Sequence, residues 1–356
     1  MYFQNKNLTH EKSPIFFKQN NYKFKGKKVT KNNMIDVTTI GNAIVDIIAQ
    51  CSDSYLIEQN IIKSSMNLID EERSKSLYEN LEKPKIISGG SAANTSVGIS
   101  SLGSNTAFIG KVKNDELGQT FKNDIEKVGV LFNTPFSDFG PRTASSIILV
   151  TPDAERSMNT FLGACVNLDI NDVDESLIKN SKIVYLEGYL FDPPKAKEAF
   201  VKTAKIAQKE QNLVAMTLSD SFCVERHRSD FISFTKNHVD ILFANDDEIK
   251  SLFQCDLKEA KSNIEEMGTE TIITLGPKGS LIYKDKKWTN VDAIIPERIM
   301  DTTGAGDLYA SGYLHGRSLN LNVEKCGMIG SIVASEIISH IGPRPITNLN
   351  ELIQNI

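Results

Sequence analysis

Cysteine is sparse in this chain of 356 residues: Cys51, Cys165, Cys223, Cys255 and Cys326 are scattered, with no C-x-x-C pair among them. That spacing suggests neither a disulfide framework nor a zinc site, and it fits a reducing cytoplasm. No apolar run approaches the ~18 residues needed to span a bilayer, and nothing resembles a secretory signal, so a soluble protein is expected. An excess of positive charge is also missing. The net charge of -5 and pI near 5.7 argue against general affinity for nucleic acid or an anionic membrane. Small molecules are the expected partners. Absent too is G-x-x-x-x-G-K-S/T, the loop by which many nucleotide-binding proteins cradle phosphate.

Residues 1–33 differ from the rest, with eight lysines, one acidic residue and little apolar periodicity. They read as a disordered basic extension, and no function is assigned to them. From Met34 to residue 356 the chain reads as one large α/β domain. Short runs rich in Val and Ile ("IDVTTIGNAIVDIIA", "SSIILVT", "KIVYLEGYLF", "VDILFAN", "TIITLG") alternate with amphipathic stretches such as "AKEAFVKTAKIAQKEQ". This pattern predicts β-α-β units and a mainly parallel sheet covered on both faces. Ligands of such sheets bind beyond the carboxyl ends of the strands. The polar and glycine-rich stretches fall at those ends.

"MDTTGAGDLYASG" (300–312) is the most informative of them. Gly304, Ala305 and Gly306 let backbone N–H groups converge at a helix start, where unpaired donors and the helix dipole favour an anion. Asp307 in the same turn is a poor phosphate ligand but a suitable base for an alcohol attacking phosphorus. An aspartate cap after a glycine loop explains the same residues equally well. In "TLGPKGSLIY", Thr274, Gly276 and Gly279 suit a turn passing close to phosphates, or a plain hairpin. In "ANDDEIKSL", Asn245 and Glu248 stand three apart at a helix start, able to organise water around Mg²⁺ or merely to cap the helix. In "SGGSAANTSVG", Gly89 and Gly90 permit close backbone approach and Asn94 offers an amide to a substrate hydroxyl, or the glycines serve helix packing.

Taken in order and spacing, "IGNAIVD", "SGGSAANTSVG", "FANDDE", "TLGPKG" and "DTTGAGDLYASGYL" resemble the ribokinase-like (PfkB) carbohydrate and nucleoside kinases over residues 34–345. The resemblance implies a three-layer α/β/α fold with a small β-sheet lid, expected from residues 46–70, 84–88 and 131–140. It implies transfer of phosphate from ATP to an alcohol, with Asp307 as base and the backbone of Gly304, Ala305, Gly306 and Asp307 as anion hole. It places Asn245, Thr274, Gly276 and Gly279 on ATP, and Glu248 on Mg²⁺ through water. Asn42, Asp46, Gly89, Gly90 and Asn94 match positions that hold sugar hydroxyls. A monovalent cation site found in many relatives, using the backbone near Asp301 and Thr303 and the loop of Ser335 to Gly342, makes K⁺ a candidate. "GNAIVDIIA", "ERSMNTFLGAC", "YLEGYLF" and "HVDILFANDDE" are most similar to the adenosine kinase branch. On that likeness Arg156 contacts the transferred phosphate, and Tyr189 and Phe191 flank a purine. The implied protein is a cytoplasmic monomer or a homodimer joined through its lid. A sugar kinase acting on ribose, fructose or 2-keto-3-deoxygluconate is the alternative, and a non-catalytic nucleoside sensor a more distant one.

Overall fold

The computed structural model describes residues 34–153 and 155–356, so the lysine-rich segment 1–33 lies outside the described residues. Strand β1 (Ile35–Ile40) passes through residues 41–43 into β2 (Ile44–Gln50), followed by α1 (Asp53–Glu58), β3 (Met66–Leu68), α2 (Glu71–Glu79) and β4 (Lys85–Gly89). Next come α3 (Ser91–Ser101), β5 (Thr106–Ile109), α4 (Glu116–Lys127), β6 (Leu131–Phe132), β7 (Ala144–Val150) and β8 (Arg156–Phe161). A run of alternating elements follows: α5 (Glu175–Lys179), β9 (Ser181–Glu187), α6 (Pro194–Lys209), β10 (Leu213–Thr217), α7 (Ser221–His238), β11 (Ile241–Asn245), α8 (Asp246–Phe253), α9 (Leu257–Met267) and β12 (Glu270–Thr274). A hairpin, β13 (Ser280–Lys284) and β14 (Lys287–Val291), leads to α10 (Ala305–Ser318), α11 (Val323–Ile338) and α12 (Leu349–Leu352).

Nine strands form one sheet in the order β14-β13-β12-β11-β10-β9-β1-β5-β6, parallel except at the β12–β13–β14 end. The expected α/β architecture is therefore present. Strand β9 shows why its sequence reads as an unbroken apolar run. Ile183 and Tyr185 join a core with Val97 of α3 and Tyr313 of α10, while Val184 and Leu186 join a second core with Phe200 of α6 and Phe231 of α7. Each such buried side chain contributes roughly 1.5–3 kcal/mol relative to exposure.

The remaining strands make a separate five-stranded sheet, β3-β8-β7-β2-β4. On one face Val45, Ile47, Ile147 and Leu149 pack with Leu56 of α1 and Leu77 of α2. The other face carries Asp46, aligned with Ser146 and Thr160 across β7 and β8. Met66 and Leu68 at its edge are exposed.

The small sheet departs from the sequence expectation at one segment. Leu131–Phe132 does not belong to it but adds an edge strand to the large sheet, paired with Ala107 and Phe108. The cause is aromatic packing: Phe132 is fully buried, with its ring 6.0 Å from Phe108 and 5.5 Å from Phe121. The missing strands are β7 and β8, whose apolar runs look in sequence like further strands of the main alternation.

Candidate active site

Strands β1, β9, β11 and β12 end on one edge of the large sheet, and α3, α8 and α10 start there. Helix α10 opens at Gly304, whose φ of 80° places it in the left-handed region, and no side chain caps the helix start. A Cβ added at Gly306 would meet nothing within 4 Å, so this first turn faces open space. Uncapped amides at an open helix start are donors of the kind that suit an anion.

Asp307, in that turn, is held from α3. Ser91 Oγ donates to its Oδ1 at 2.7 Å and Asn94 Nδ2 to its Oδ2 at 2.9 Å. Thr95 Oγ1 donates to its main-chain oxygen at 3.2 Å. Burial raises the Asp307 pKa, while the Asn94 and Ser91 hydrogen bonds and the nearby Arg344 charge act the other way. One of the two N–H donors of the Asn94 amide is thus engaged by Asp307. The Asn94 Oδ1 is buried without a partner and remains available to one.

Asp46 faces the same cleft from β2. Its carboxylate packs against the backbone of Gly89, where an added Cβ would lie 2.3 Å from Oδ2, which accounts for glycine there. Gly90, with φ 99°, is the N-cap of α3, beside the Asn42 carbonyl. Asp46 is buried but takes no hydrogen bond among the described residues, and burial pushes its pKa up to about 6 against the opposing charges of Arg344 and Arg156.

Residues 61–349 match the family described as pfkB family carbohydrate kinase. The chain belongs to this family. It is 46% identical to the adenosine kinase of Sinorhizobium meliloti, whose crystal structure superposes with a TM-score of 0.82 over 90% of this chain and 98% of that one. A probable sugar kinase from Rhizobium etli is 45% identical, with a TM-score of 0.83 and the same coverage of both chains. The 5-dehydro-2-deoxygluconokinase of Clostridium botulinum is 25% identical over 70% of this chain and 78% of its own length. The protein is thus a kinase of sugar or nucleoside acceptors.

Other expected residues of this pfkB kinase fall partly elsewhere. Asn42 does not stand free: its Nδ2 donates to Glu187 Oε1 at 2.8 Å. Glu187, at the end of β9, also accepts from Ala92 N at 2.9 Å, tying α3 to β1. Burial raises its pKa to about 7. Sequence reasoning passed over it, although a carboxylate ending the apolar run of "YLEGYLF" is a signal. Ser91 was passed over as well, despite following Gly89-Gly90 at a helix start.

Phe191 does not line the cleft. The 3₁₀ turn Gly188–Phe191 directs it into the helical layer, where its ring stacks on Phe231 at 4.1 Å and meets Phe200 and Phe234 edge-on. Tyr189 stays half-buried at the sheet edge, its N–H donating to Ser219 Oγ at 3.2 Å. Asn245 and Glu248 form a reciprocal capping box, with Asn245 N donating to Glu248 Oε2 at 3.0 Å and Glu248 N to Asn245 Oδ1 at 2.8 Å. Burial raises the Glu248 pKa to about 7. Thr274 closes β12, with Oγ1 donating to the Ala244 carbonyl at 3.4 Å, and Gly276 opens the turn after it, facing open space. Gly279 is explained by the hairpin instead: a Cβ there would lie 2.0 Å from the Val291 carbonyl.

At Asp301 and Thr303, where the resemblance implies backbone ligands for a monovalent cation, the side chains are engaged by a cation of the protein itself. Arg156 Nη1 lies 2.6 Å from Asp301 Oδ2 and donates to Thr303 Oγ1 at 3.2 Å. Gly342 N and Thr303 N donate to the same carboxylate at 2.8 and 3.0 Å. Arg156 Nη2 remains buried without a partner, an orphaned donor.

Proposed function

We propose that this kinase transfers the γ-phosphate of ATP to the primary hydroxyl of a nucleoside, adenosine first among them. The observation that carries the reading is Asp307 held by Ser91 and Asn94 in the uncapped first turn of α10. Asp307 takes the proton of the attacking hydroxyl, while the amides of that turn hold charge on the phosphoryl oxygens. Asp46, with open lone pairs, and Asn94 Oδ1 receive the acceptor's hydroxyls and orient it toward Asp307.

The residues present fit a nucleotide. The uncapped turn and the orphaned Nη2 of Arg156 supply donors without acceptors, and Gly276, just after β12, faces open space. Among the described residues no three acidic, His or Cys side chains cluster as a metal site. Mg²⁺ would accordingly be held by the nucleotide's own oxygens and by water near Glu248, neutralising phosphate charge. The 46% identity to a named adenosine kinase supports the acceptor. Likeness to a 5-dehydro-2-deoxygluconokinase favours a second reading, a keto-sugar acid as acceptor.

The test is ADP release with Mg-ATP across adenosine, inosine, guanosine, cytidine, ribose, fructose, 2-keto-3-deoxygluconate and 5-dehydro-2-deoxygluconate. Adenosine is expected to give the highest kcat/KM. Turnover confined to the free sugars and sugar acids overturns the nucleoside reading and leaves the role of Asp307 standing.

A further inference from the structure

Arg344 belongs to none of the motifs that point to this site, yet it reaches both sides of it. From the loop after α11 its Nε and Nη2 donate to the Ser88 carbonyl at 3.1 and 2.7 Å, and Nη2 also donates to Ser88 Oγ at 3.0 Å. Nη1 donates to the Ala93 carbonyl at 3.1 Å. Ser88 immediately precedes Gly89, against which the Asp46 carboxylate packs, and Ala93 immediately precedes Asn94, which donates to Asp307. The guanidinium thus bridges the last strand of the small sheet and the first turn of α3, one residue away from the contact of each site carboxylate.

All four of these hydrogen bonds go to neutral oxygens. A carbonyl satisfies a guanidinium's donors but leaves its charge uncompensated, and that charge acts on whatever carboxylates stand nearby. Asp124 of α4 is one: it accepts from Ser88 N at 2.8 Å and Ser88 Oγ at 2.6 Å, behind the small sheet. Asp46 and Asp307 are the other two whose charges act on the guanidinium.

We propose that Arg344 is a positioning residue for phosphotransfer, latching the small sheet to α3 and keeping Asp46 and Asp307 ionised by its uncompensated charge. The inference rests on the reading of Asp307 as base. The groups facing the two carboxylates are consistent with a need for such a charge. Asp307 looks onto Glu187 at the end of β9, Glu248 on α8, and the hydroxyls of Tyr185 and Tyr189, all of which oppose ionisation or stay neutral. Asp46 faces Asp307 and Arg156, and Arg156 is already paired with Asp301. Arg344 is left as the cation without a carboxylate in contact.

Two variants and two readouts test this. For R344Q and R344K, thermal unfolding is followed from pH 4.5 to 8.5, and kcat/KM is measured over the same range with whichever acceptor the wild type prefers. Removing the charge raises the folded-state pKa of both carboxylates, so the stability gap between wild type and R344Q should widen as pH rises. The acid limb of kcat/KM should move up by about one pH unit, a roughly tenfold loss on its acid side. R344K keeps the charge and should keep the wild-type limb even if the broken latch lowers its rate. A pH-independent stability gap with an unmoved acid limb in R344Q overturns the proposal, whatever the rate. If R344Q does not fold, R344K decides: a limb displaced in a variant that retains the charge overturns it, and an unmoved limb supports it. The unfolding series needs no acceptor. A wild type with no kinase activity would therefore count against the proposed function alone.

Discussion

Asp307, at the edge of the nine-stranded sheet, accepts hydrogen bonds from Ser91 and Asn94, whereas Asp46, on the five-stranded sheet, accepts none among the described residues. Asp46 is buried and Asp307 half-buried, and desolvation is the largest influence on both. The difference lies in what surrounds them. Asp307 is clamped by two side chains of one helix turn, so its oxygens point in a fixed direction before any ligand arrives. Asp46 is pressed against glycine backbone, which fixes its position but leaves its lone pairs open. A group that must receive one particular proton gains from fixed orientation. A group that must receive whatever hydroxyls a bound ring presents gains from unused acceptor capacity.

The largest effect that would break this comparison is expected at Asp307. D307N keeps the shape and the contact with Ser91 but cannot take a proton. Its kcat should fall by roughly 10²–10⁴-fold, the usual contribution of a positioned general base. Equilibrium binding of the acceptor, followed by calorimetry, should change little. Near-normal turnover in D307N would show that the clamped carboxylate is not the base and that its hydrogen bonds serve only to cap α10.

D46N should behave differently, and its sign follows from the raised pKa. A carboxyl whose folded pKa, about 6, exceeds its ordinary value of 3.8 favours folding below that ordinary value, and this contribution is lost as pH rises through 6. Asn cannot ionise and has no native donor to lose. D46N should therefore be more stable than wild type by roughly 2–3 kcal/mol at pH 8, with the gain vanishing below about pH 4. Acceptor affinity should fall at the same time, because the open lone pairs are gone. Denaturant unfolding at pH 4 and pH 8 checks the first part. An equal ΔΔG at both values would mean that Asp46 is not strained by burial.

The same contrast explains what was legible in the sequence. Asp307 announces itself because its surroundings are local: two glycines and a helix start lie within three residues of it. The alternating apolar runs likewise fix the large sheet, since a strand buried on both faces has no polar period. The small sheet is harder to read because β7 and β8 have the same apolar character as the main strands, and only their antiparallel pairing and Asp46's alignment with Ser146 reveal where they belong. Phe191 is ambiguous in sequence for a related reason. An aromatic at a strand end suits a flat ligand or a core equally, and the choice was made by Phe231, forty residues away in sequence. Arg156 and Asp301 satisfy one another across 145 positions, so neither reveals from sequence that the other occupies it.

The smallest effect is the one that sharpens the comparison most. S91A removes one of the two donors that set Asp307 apart from Asp46 and leaves Asn94 in place. Losing a hydrogen bond to the ionised form should raise the Asp307 pKa further, so the acid limb of kcat/KM should move upward. On the plateau above the acid limb the rate should fall only about two- to fivefold, the share owed to orientation. On the limb itself the loss should be distinctly greater. A deficit of the same size on limb and plateau would mean that Ser91 orients the carboxylate without holding it ionised. Asp307 would then differ from Asp46 in geometry alone, with its charge kept by Asn94 and Arg344.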